Sequence, residues 1–258
     1  MKSHFHNKVV IVTGASSGIG KETALAFGRA GARVIMVARR GEMLRQIASE
    51  NPQLQLRPLP ADITHSDAAV EIVATTLREF GRIDILVNNA GIGQRGLFAE
   101  LDFGVARRVM DLNFFALLRC TQAVVPVMRR QGSGQIVNIS SVVGMIATPQ
   151  NSIYCASKFA VRSLSDSLRL ELRASGIDVI SILPGHTETQ FFENQIITSG
   201  PSRFGSMRGQ LPSHVATVIL RACRHRRREV VLTLPCILGC WAKRLFPGFV
   251  DWCLMRLV

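Results

Sequence analysis

The chain is short of several things, and each shortage excludes a class of protein. Its six Cys (120, 155, 223, 236, 240 and 253) form no CxxC pair and no Cys/His metal spacing, which removes zinc ribbons and disulfide frameworks. The apolar run near the N-terminus, residues 9–12, is four residues long and leads into Gly14. A secretory signal needs a longer one, so the expectation is reduced thiols and a cytoplasmic location. No segment approaches the roughly 20 apolar residues of a spanning helix; the longest uncharged run near the C-terminus, 230–242, is interrupted by Pro235 and Gly239. Internal repeats, low-complexity tracts and an obvious linker are also missing. Acidic residues are scarce, 18 against 31 Lys+Arg, giving a net charge of +13, of which +6 falls in the last 38 residues. Yet only 19% of residues are charged and 47% are apolar, which excludes a disordered chain. There is one Tyr and there are two Trp in 258 residues.

What is present is an alternation. Short apolar runs at 9–12, 34–37, 83–87, 136–139, 179–183 and 230–232, with a weaker one at 54–59, are separated by helix-like stretches. Those stretches lie at 19–30, 42–50, 66–80, 100–131, 152–174 and 213–224. Continuous apolar strands between helices predict an α/β chain, a Rossmann-like doubly wound parallel sheet with helices on both faces, in a single domain. Such sheets bind ligands at the carboxyl ends of their strands. The expected division is a nucleotide-binding domain over 1–233 and a basic, apolar tail over 234–258. Within the domain, 186–212 is rich in Gly, Ser, Thr, Gln and Phe, including Phe191, Phe192 and Phe204. A long irregular segment of this kind predicts a lid or substrate loop.

The first strand runs into Thr13-Gly14-Ala15-Ser16-Ser17-Gly18-Ile19-Gly20. Glycines there permit a tight turn, and the amides of the following helix N-terminus can hold a pyrophosphate. The second strand ends Val37-Ala38-Arg39-Arg40. A carboxylate at that place would bind an adenosine 2′-OH, whereas arginine accommodates a 2′-phosphate. The chain has no carboxylate there and two guanidiniums, which points to NADP(H) over NAD(H). Further along, Tyr154 and Lys158 stand at i and i+4 on one helix face. A lysine cation and the helix N-terminus near Ser152 would draw the Tyr154 phenol down from its ordinary value near 10 toward the operating pH of a general acid/base.

The spacing Gly14-x-x-x-Gly18-x-Gly20 resembles the TGxxxGxG loop of the short-chain dehydrogenase/reductase family. Asn88-Asn89-Ala90-Gly91 resembles the family's NNAG motif, and Asn113 stands where the family has a helix asparagine. Ser141, Tyr154 and Lys158 match its Ser and YxxxK set, with Ser141 and Tyr154 13 positions apart. Pro184-Gly185 with Thr187 and Thr189 resembles its PG segment, and Asp62-Ile63 its adenine-contact pair. The likeness covers roughly 7–233. It implies an NADP(H)-dependent oxidoreductase acting on a carbonyl or secondary alcohol. Ser141 would stabilise the developing alkoxide, Tyr154 would exchange the proton, and Lys158 would also hold the nicotinamide ribose. Asn113 would position a relay water. Gly14, Ser16, Ser17, Gly18, Ile19, Gly20, Arg39, Arg40, Asp62, Ile63, Asn89 and Thr187 would bind the cofactor, and no metal is implied. Ser17 departs from the basic residue often found in the family's loop, and Asn88 reads as structural. Ser140 adjoins Ser141 but points the opposite way on an extended strand.

The tail and the phenylalanines of the loop imply an apolar substrate, such as a lipid-, steroid- or ketoacyl-like carbonyl. Arg221, Arg224, Arg226, Arg227 and Arg228 precede a segment with Trp241, Phe246, Phe249 and Trp252 beside Lys243, Arg244 and Arg256. Aromatics and cations together suit a membrane surface; apolar contact with a neighbouring subunit of a homo-oligomer is the other reading. The breaks at Pro235, Gly239, Pro247 and Gly248 predict short pieces rather than one amphipathic helix. Nucleic acid is not an expected partner, since no recognition helix or stacking platform accompanies the arginines. A competing functional reading is a nucleotide-sensing or scaffold protein that keeps the fold without turnover; the full Asn113, Ser141, Tyr154 and Lys158 set argues against it.

Overall fold

The computed structural model describes residues 4–191, 193–199 and 209–256. Phe192 and Phe204, assigned above to the substrate loop, lie outside them. The strands are β1 (Val9–Thr13), β2 (Arg33–Ala38), β3 (Leu56–Pro60), β4 (Ile85–Asn88), β5 (Gln94–Arg95), β6 (Gly134–Ile139), β7 (Ile177–Leu183), β8 (Ile196–Ile197) and β9 (Glu229–Val231). The helices are α1 (Gly18–Arg29), α2 (Gly41–Ser49), α3 (Ala68–Phe80), α4 (Phe103–Met110), α5 (Ala116–Gln131), α6 (Ser152–Glu171), α7 (Pro212–Arg224), α8 (Leu234–Leu245) and α9 (Pro247–Met255).

Seven strands form one parallel sheet in the order β3-β2-β1-β4-β6-β7-β9. The order reverses between β1 and β4, which opens a crevice at their carboxyl ends. β1 and β4 are buried throughout because helices cover both sheet faces. Successive side chains point to opposite faces: Val10 and Val12 join the core under α1 and α7, while Ile11 joins the one under α3, α5 and the end of α6. The weak apolar run at 54–59 becomes the edge strand β3, the position that tolerates Pro58 and Pro60.

Three features depart from the expected pattern. The stretch 100–131 is not one helix: Asp111–Phe115 forms a π turn between α4 and α5, with the Ala116 N–H bonded five residues back to the Asp111 carbonyl. β5 and β8 form an unforeseen two-residue clip that ties the loop after β4 to the segment after β7. The tail is a helical hairpin broken at Pro247, as expected, but Pro235 sits in the first turn of α8, where its missing N–H costs nothing, and Gly239 is accommodated inside α8. The hairpin also parts company with the arginines. Arg226 pairs with Asp178 of β7 at 3.3 Å and Arg228 leads into the start of β9. They lie toward the amino edge of the sheet, whereas α8 and α9 follow the carboxyl end of β9.

Candidate active site and cofactor cleft

The glycine loop joins β1 to α1 at the crevice. Gly14 and Gly18 have positive φ (67° and 53°), and a Cβ on Gly20 would lie 2.2 Å from the Gly14 carbonyl oxygen. The loop is braced from the next strand. The Asn89 amide donates to the Thr13 and Gly14 carbonyls at 2.9 and 3.3 Å, while the Thr13 hydroxyl accepts from the Asn89 and Ala90 N–H groups. Asn89, expected to touch cofactor, therefore has its amide nitrogen committed to the loop. Asn88 is buried and donates to Thr121 and Asn138, a structural role as expected.

α1 opens without a side-chain cap from Ser17 and without an acidic residue in its first turn. Its first N–H groups and dipole end suit an anion. Ser16, Ser17, Gly18 and Lys21 line one wall of a cleft of about 620 Å³, with Glu188, Thr189 and Gln190 opposite. Ile19 packs into the core beneath the loop. Arg40 reaches over the loop: its Nε and Nη2 donate to Ser16 Oγ at 3.2 and 3.0 Å, and Nη2 also donates to Ser17 Oγ at 2.8 Å. Arg39 instead points outward and sits 4.0 Å from Asp62. Burial would raise the Asp62 carboxyl, but hydrogen bonds from Thr64 and the Arg39 charge outweigh it and hold it below its ordinary value. Ile63 is buried beside it. An uncapped helix end, close-approach glycines and a cation at the end of β2 fit a dinucleotide phosphate cradle.

The reacting groups gather at the ends of β4 and β6 and the start of α6. Ser141 follows β6; its oxygen accepts from the Val143 N–H at 3.3 Å, its hydroxyl donates to the Pro184 carbonyl at 3.5 Å, and its side chain is near enough to the Tyr154 hydroxyl to favour the phenolate. Ser140 points the other way and donates to the Lys158 carbonyl at 2.9 Å. Lys158 is buried; its Nζ donates to the Ile139 carbonyl at 2.9 Å and lies 5.7 Å from the centre of the Tyr154 ring. Burial brings the Lys158 ammonium down to about 8. It also pushes the Tyr154 phenol well above 10, against the smaller opposing effect of Ser141. The sequence-based expectation of a lowered phenol is thus reversed in the free site. Desolvation disfavours both charged forms, and Lys158 gives up its proton before the phenol would ionise.

Asn113 sits in the π turn. Its amide donates to the Ile92 carbonyl at 2.9 Å and Ser157 Oγ at 3.0 Å, and its oxygen accepts from the Ile92 N–H at 2.8 Å. Of its four hydrogen-bonding positions, three are used by protein groups. A Cβ on Gly91 would come 3.1 Å from Asn113 Oδ1 and 3.6 Å from Lys158 Nζ, so glycine keeps the approach between them clear. Thr187 is buried and donates to the Gly185 carbonyl; Thr189 accepts from the Phe191 N–H, capping a local turn, and its methyl abuts Gly18. Phe191 in turn leans on Tyr154, with ring centres 5.5 Å apart.

Sequence reasoning missed Thr13 and Ser157, which brace the loop and Asn113, and Gln94 in β5. Gln94 is wholly buried, and neither amide atom has a hydrogen-bond partner. The serine and threonine fall in ordinary polar company, and nothing in the pattern around Gln94 separates it from a surface residue. Among the described residues, no group of three His, Cys, Asp or Glu comes together to hold a metal.

Comparison with known proteins agrees with this geometry. The family model described as short chain dehydrogenase matches residues 8–198. A cattle (Bos taurus) protein named dehydrogenase/reductase SDR family member 7B is 36% identical over 262 residues, covering 96% of this chain and 80% of its own. A short-chain dehydrogenase from Streptomyces avermitilis is similar in structure, with a TM-score of 0.83 and 31% identity over 97% of this chain and 94% of its own. Two solved structures, each 25% identical over 88% of this chain, hold different cofactors. The 3-ketoacyl-(acyl-carrier-protein) reductase from Brucella melitensis (TM-score 0.80, 97% of its own chain) is complexed with NADH. The alcohol dehydrogenase from Thermococcus sibiricus (TM-score 0.77, 96% of its own chain) is complexed with 5-hydroxy-NADP. The chain belongs to the short-chain dehydrogenase/reductase family, a dehydrogenase/reductase of the class that interconverts CH–OH and C=O with NAD(P).

Proposed function

We propose that the protein is an NADP(H)-dependent oxidoreductase that interconverts a carbonyl and a secondary alcohol on an apolar substrate. The observation that carries the reading is the convergence of Ser141, Tyr154 and Lys158, with Ser141 close enough to act on the Tyr154 phenol and Lys158 Nζ 5.7 Å from its ring centre. In the reductive direction Ser141 Oγ donates to the substrate oxygen and stabilises the charge that develops there. Tyr154 Oη then gives its proton to that oxygen. A phenol held protonated in the free site suits this acid role. The nicotinamide, when bound, supplies the hydride and, once oxidised, a positive charge. Lys158 orients the ribose and stays close to Tyr154. Asn113 acts by position: it holds Ile92 and Ser157, with one lone pair of Oδ1 left for a relay water. Asn89 likewise sets the glycine loop.

Gly14, Ser16, Ser17, Gly18, Ile19 and Gly20 form the pyrophosphate cradle in this reading. Arg40, with Arg39 behind it, serves the 2′-phosphate, Asp62 and Ile63 the adenine, and Thr187 the nicotinamide amide. The nucleotide-binding unit is 1–233, with 234–258 as an appended tail and 186–212 as the substrate loop. The apolar substrate is supported by Phe191 against Tyr154. Exposed Phe115, Phe159 and Leu170 on the π turn and α6 support a homo-oligomer, and the tail supports peripheral contact with a membrane surface. The test is NADPH oxidation with a carbonyl panel, comparing the native chain with Tyr154→Phe. Loss of about a hundredfold or more in turnover, with NADPH binding kept, is expected. Survival of turnover refutes the acid assignment; binding without turnover in the native chain favours the sensor reading.

A further inference from the structure

We infer that the outer face of the α8–α9 hairpin docks on an anionic lipid bilayer and that the mouth of the substrate pocket opens beside that face. α9, with the sequence PGFVDWCLM, carries one charged residue in nine and buries none. A helix that is apolar nearly all round belongs in a core or a membrane. Here the whole hairpin is outside: Trp241, Leu245, Phe246, Phe249 and Met255 are 58–65% exposed, and Trp252 is 46% exposed. Both tryptophans of the chain are in this hairpin. Its inner side is spoken for. Cys240 Sγ lies 3.7 Å from Met145 Sδ, and a Cβ on Gly239 would meet Ile146 at 3.3 Å. The hairpin thus lies on the loop that follows Ser141 and turns its aromatics away from the body.

Charge selects the occupant. Lys243, Arg244 and Arg256 stand against one acid, Asp251, which Lys243 engages. The Arg256 guanidinium lies 3.6 Å from the centre of the Trp252 ring, and that ring stacks on Phe249. Aromatic rings with cations among them match the depth at which acyl chains give way to phosphate headgroups. Trp, Phe, Met and Arg are also common at subunit interfaces, but in a two-fold pair this face would meet itself and set its own excess of cations against like charges. The arginines at 226–228 lie toward the other edge of the sheet and take no part.

The mouth follows from the same geometry. A pocket of about 320 Å³ lies between α9 and the loop before α6, lined by Ala147, Thr148, Pro149, Asp251, Leu254 and Met255. Ala147, Thr148 and Pro149 belong to the segment that joins Ser141 to α6, which carries Tyr154 in its first turn. A carbonyl compound dissolved in lipid would thus enter from the docked face and arrive at the start of α6. This second half rests on the apolar-substrate reading; the docking itself does not.

The experiment is flotation of the full chain with phosphatidylcholine–phosphatidylglycerol vesicles and with phosphatidylcholine alone. Tryptophan emission is recorded in parallel, since it reports the hairpin alone. The native chain is expected to float with the anionic vesicles and its emission to shift to the blue. The Trp241→Glu, Phe249→Glu double variant is expected to bind about a hundredfold more weakly, while its thermal melt, NADPH binding and turnover of a water-soluble carbonyl stay native. For the mouth, native activity on a lipid-dissolved carbonyl should rise with anionic vesicles, and the variant's should not. A native chain that never floats, a variant that floats equally, or a variant that only converts a dimer to monomer overturns the docking. Flotation without a vesicle-dependent gain in activity overturns the mouth. Carbonyl reduction without flotation refutes the docking alone, and flotation without any reduction refutes the functional reading alone.

Discussion

Replacing Arg40 with Ala should change which nicotinamide the protein prefers, and the size of the change follows from how the guanidinium is held. Arg40 has five N–H donors. Its Nε contacts Ser16, and its Nη2 contacts both Ser16 and Ser17. The two Nη1 donors are left for a 2′-phosphate at the end of β2. One hydrogen bond to a charged group is worth about 1.5–3 kcal/mol, so Arg40→Ala should weaken NADPH binding by about 10- to 150-fold. The serine contacts also steady the loop, and losing them weakens both cofactors alike, by no more than a few-fold. The quantity to follow is therefore the ratio of the two dissociation constants, read by quenching of protein fluorescence or by calorimetry. That ratio should move toward NADH by at least about tenfold, with Arg40→Lys in between because it keeps the charge but loses the planar fork. Arg39→Ala should do less, since Arg39 is exposed and already faces Asp62. An unchanged ratio, or a native chain that binds NADH more tightly, refutes the assignment of Arg40 to phosphate.

Three further outcomes are expected. Because Tyr154 is the one tyrosine, phenolate absorbance titrates it alone. The free protein should show no phenolate step until well past pH 10, and a step at or below 10 would show that Lys158 governs the phenol after all. Lys158→Met should remove a pH-dependent cost. The folded-state value of about 8 lies below the ordinary 10.5, so the native chain carries the cost of a buried ammonium below pH 8 and sheds it as pH rises toward 10.5. Relative to the variant, native unfolding free energy in urea should rise by about 3 kcal/mol across that window, and a flat difference would sink the idea. Gln94→Met, close in volume, should stabilise the fold by about 1–3 kcal/mol by removing two unpaired buried polar atoms. A loss of that size in the same urea assay would show that the Gln94 amide is paired.

Much of the fold was legible because its signals are local and repeated. All seven strands of the main sheet were visible as apolar runs, and β3 was visible even in its weakness, since an edge strand has less to bury. The site was legible through spacing: Ser140 and Ser141 separate by strand alternation, and Tyr154 and Lys158 share a helix face. The π turn at 111–115 was not legible, because one inserted residue leaves the apolar periodicity on either side intact. The β5–β8 clip was hidden for another reason. Two-residue strands carry no period, and their partners are a hundred positions apart in the chain.

The sequence by itself determined the doubly wound sheet, the glycine loop at its first turn and the order of the motifs, because each depends on neighbours within a few residues. Only the tertiary structure decided how those residues are employed. It engaged the Asn89 amide nitrogen on the glycine loop and tied Asn113 to Ile92 and Ser157. It parted the arginines at 226–228 from the apolar hairpin. It also raised the Tyr154 phenol where spacing alone predicted a fall. The physical reason is desolvation: how much water a group loses depends on everything folded around it, and in this site that loss outweighs the opposing effect of Ser141.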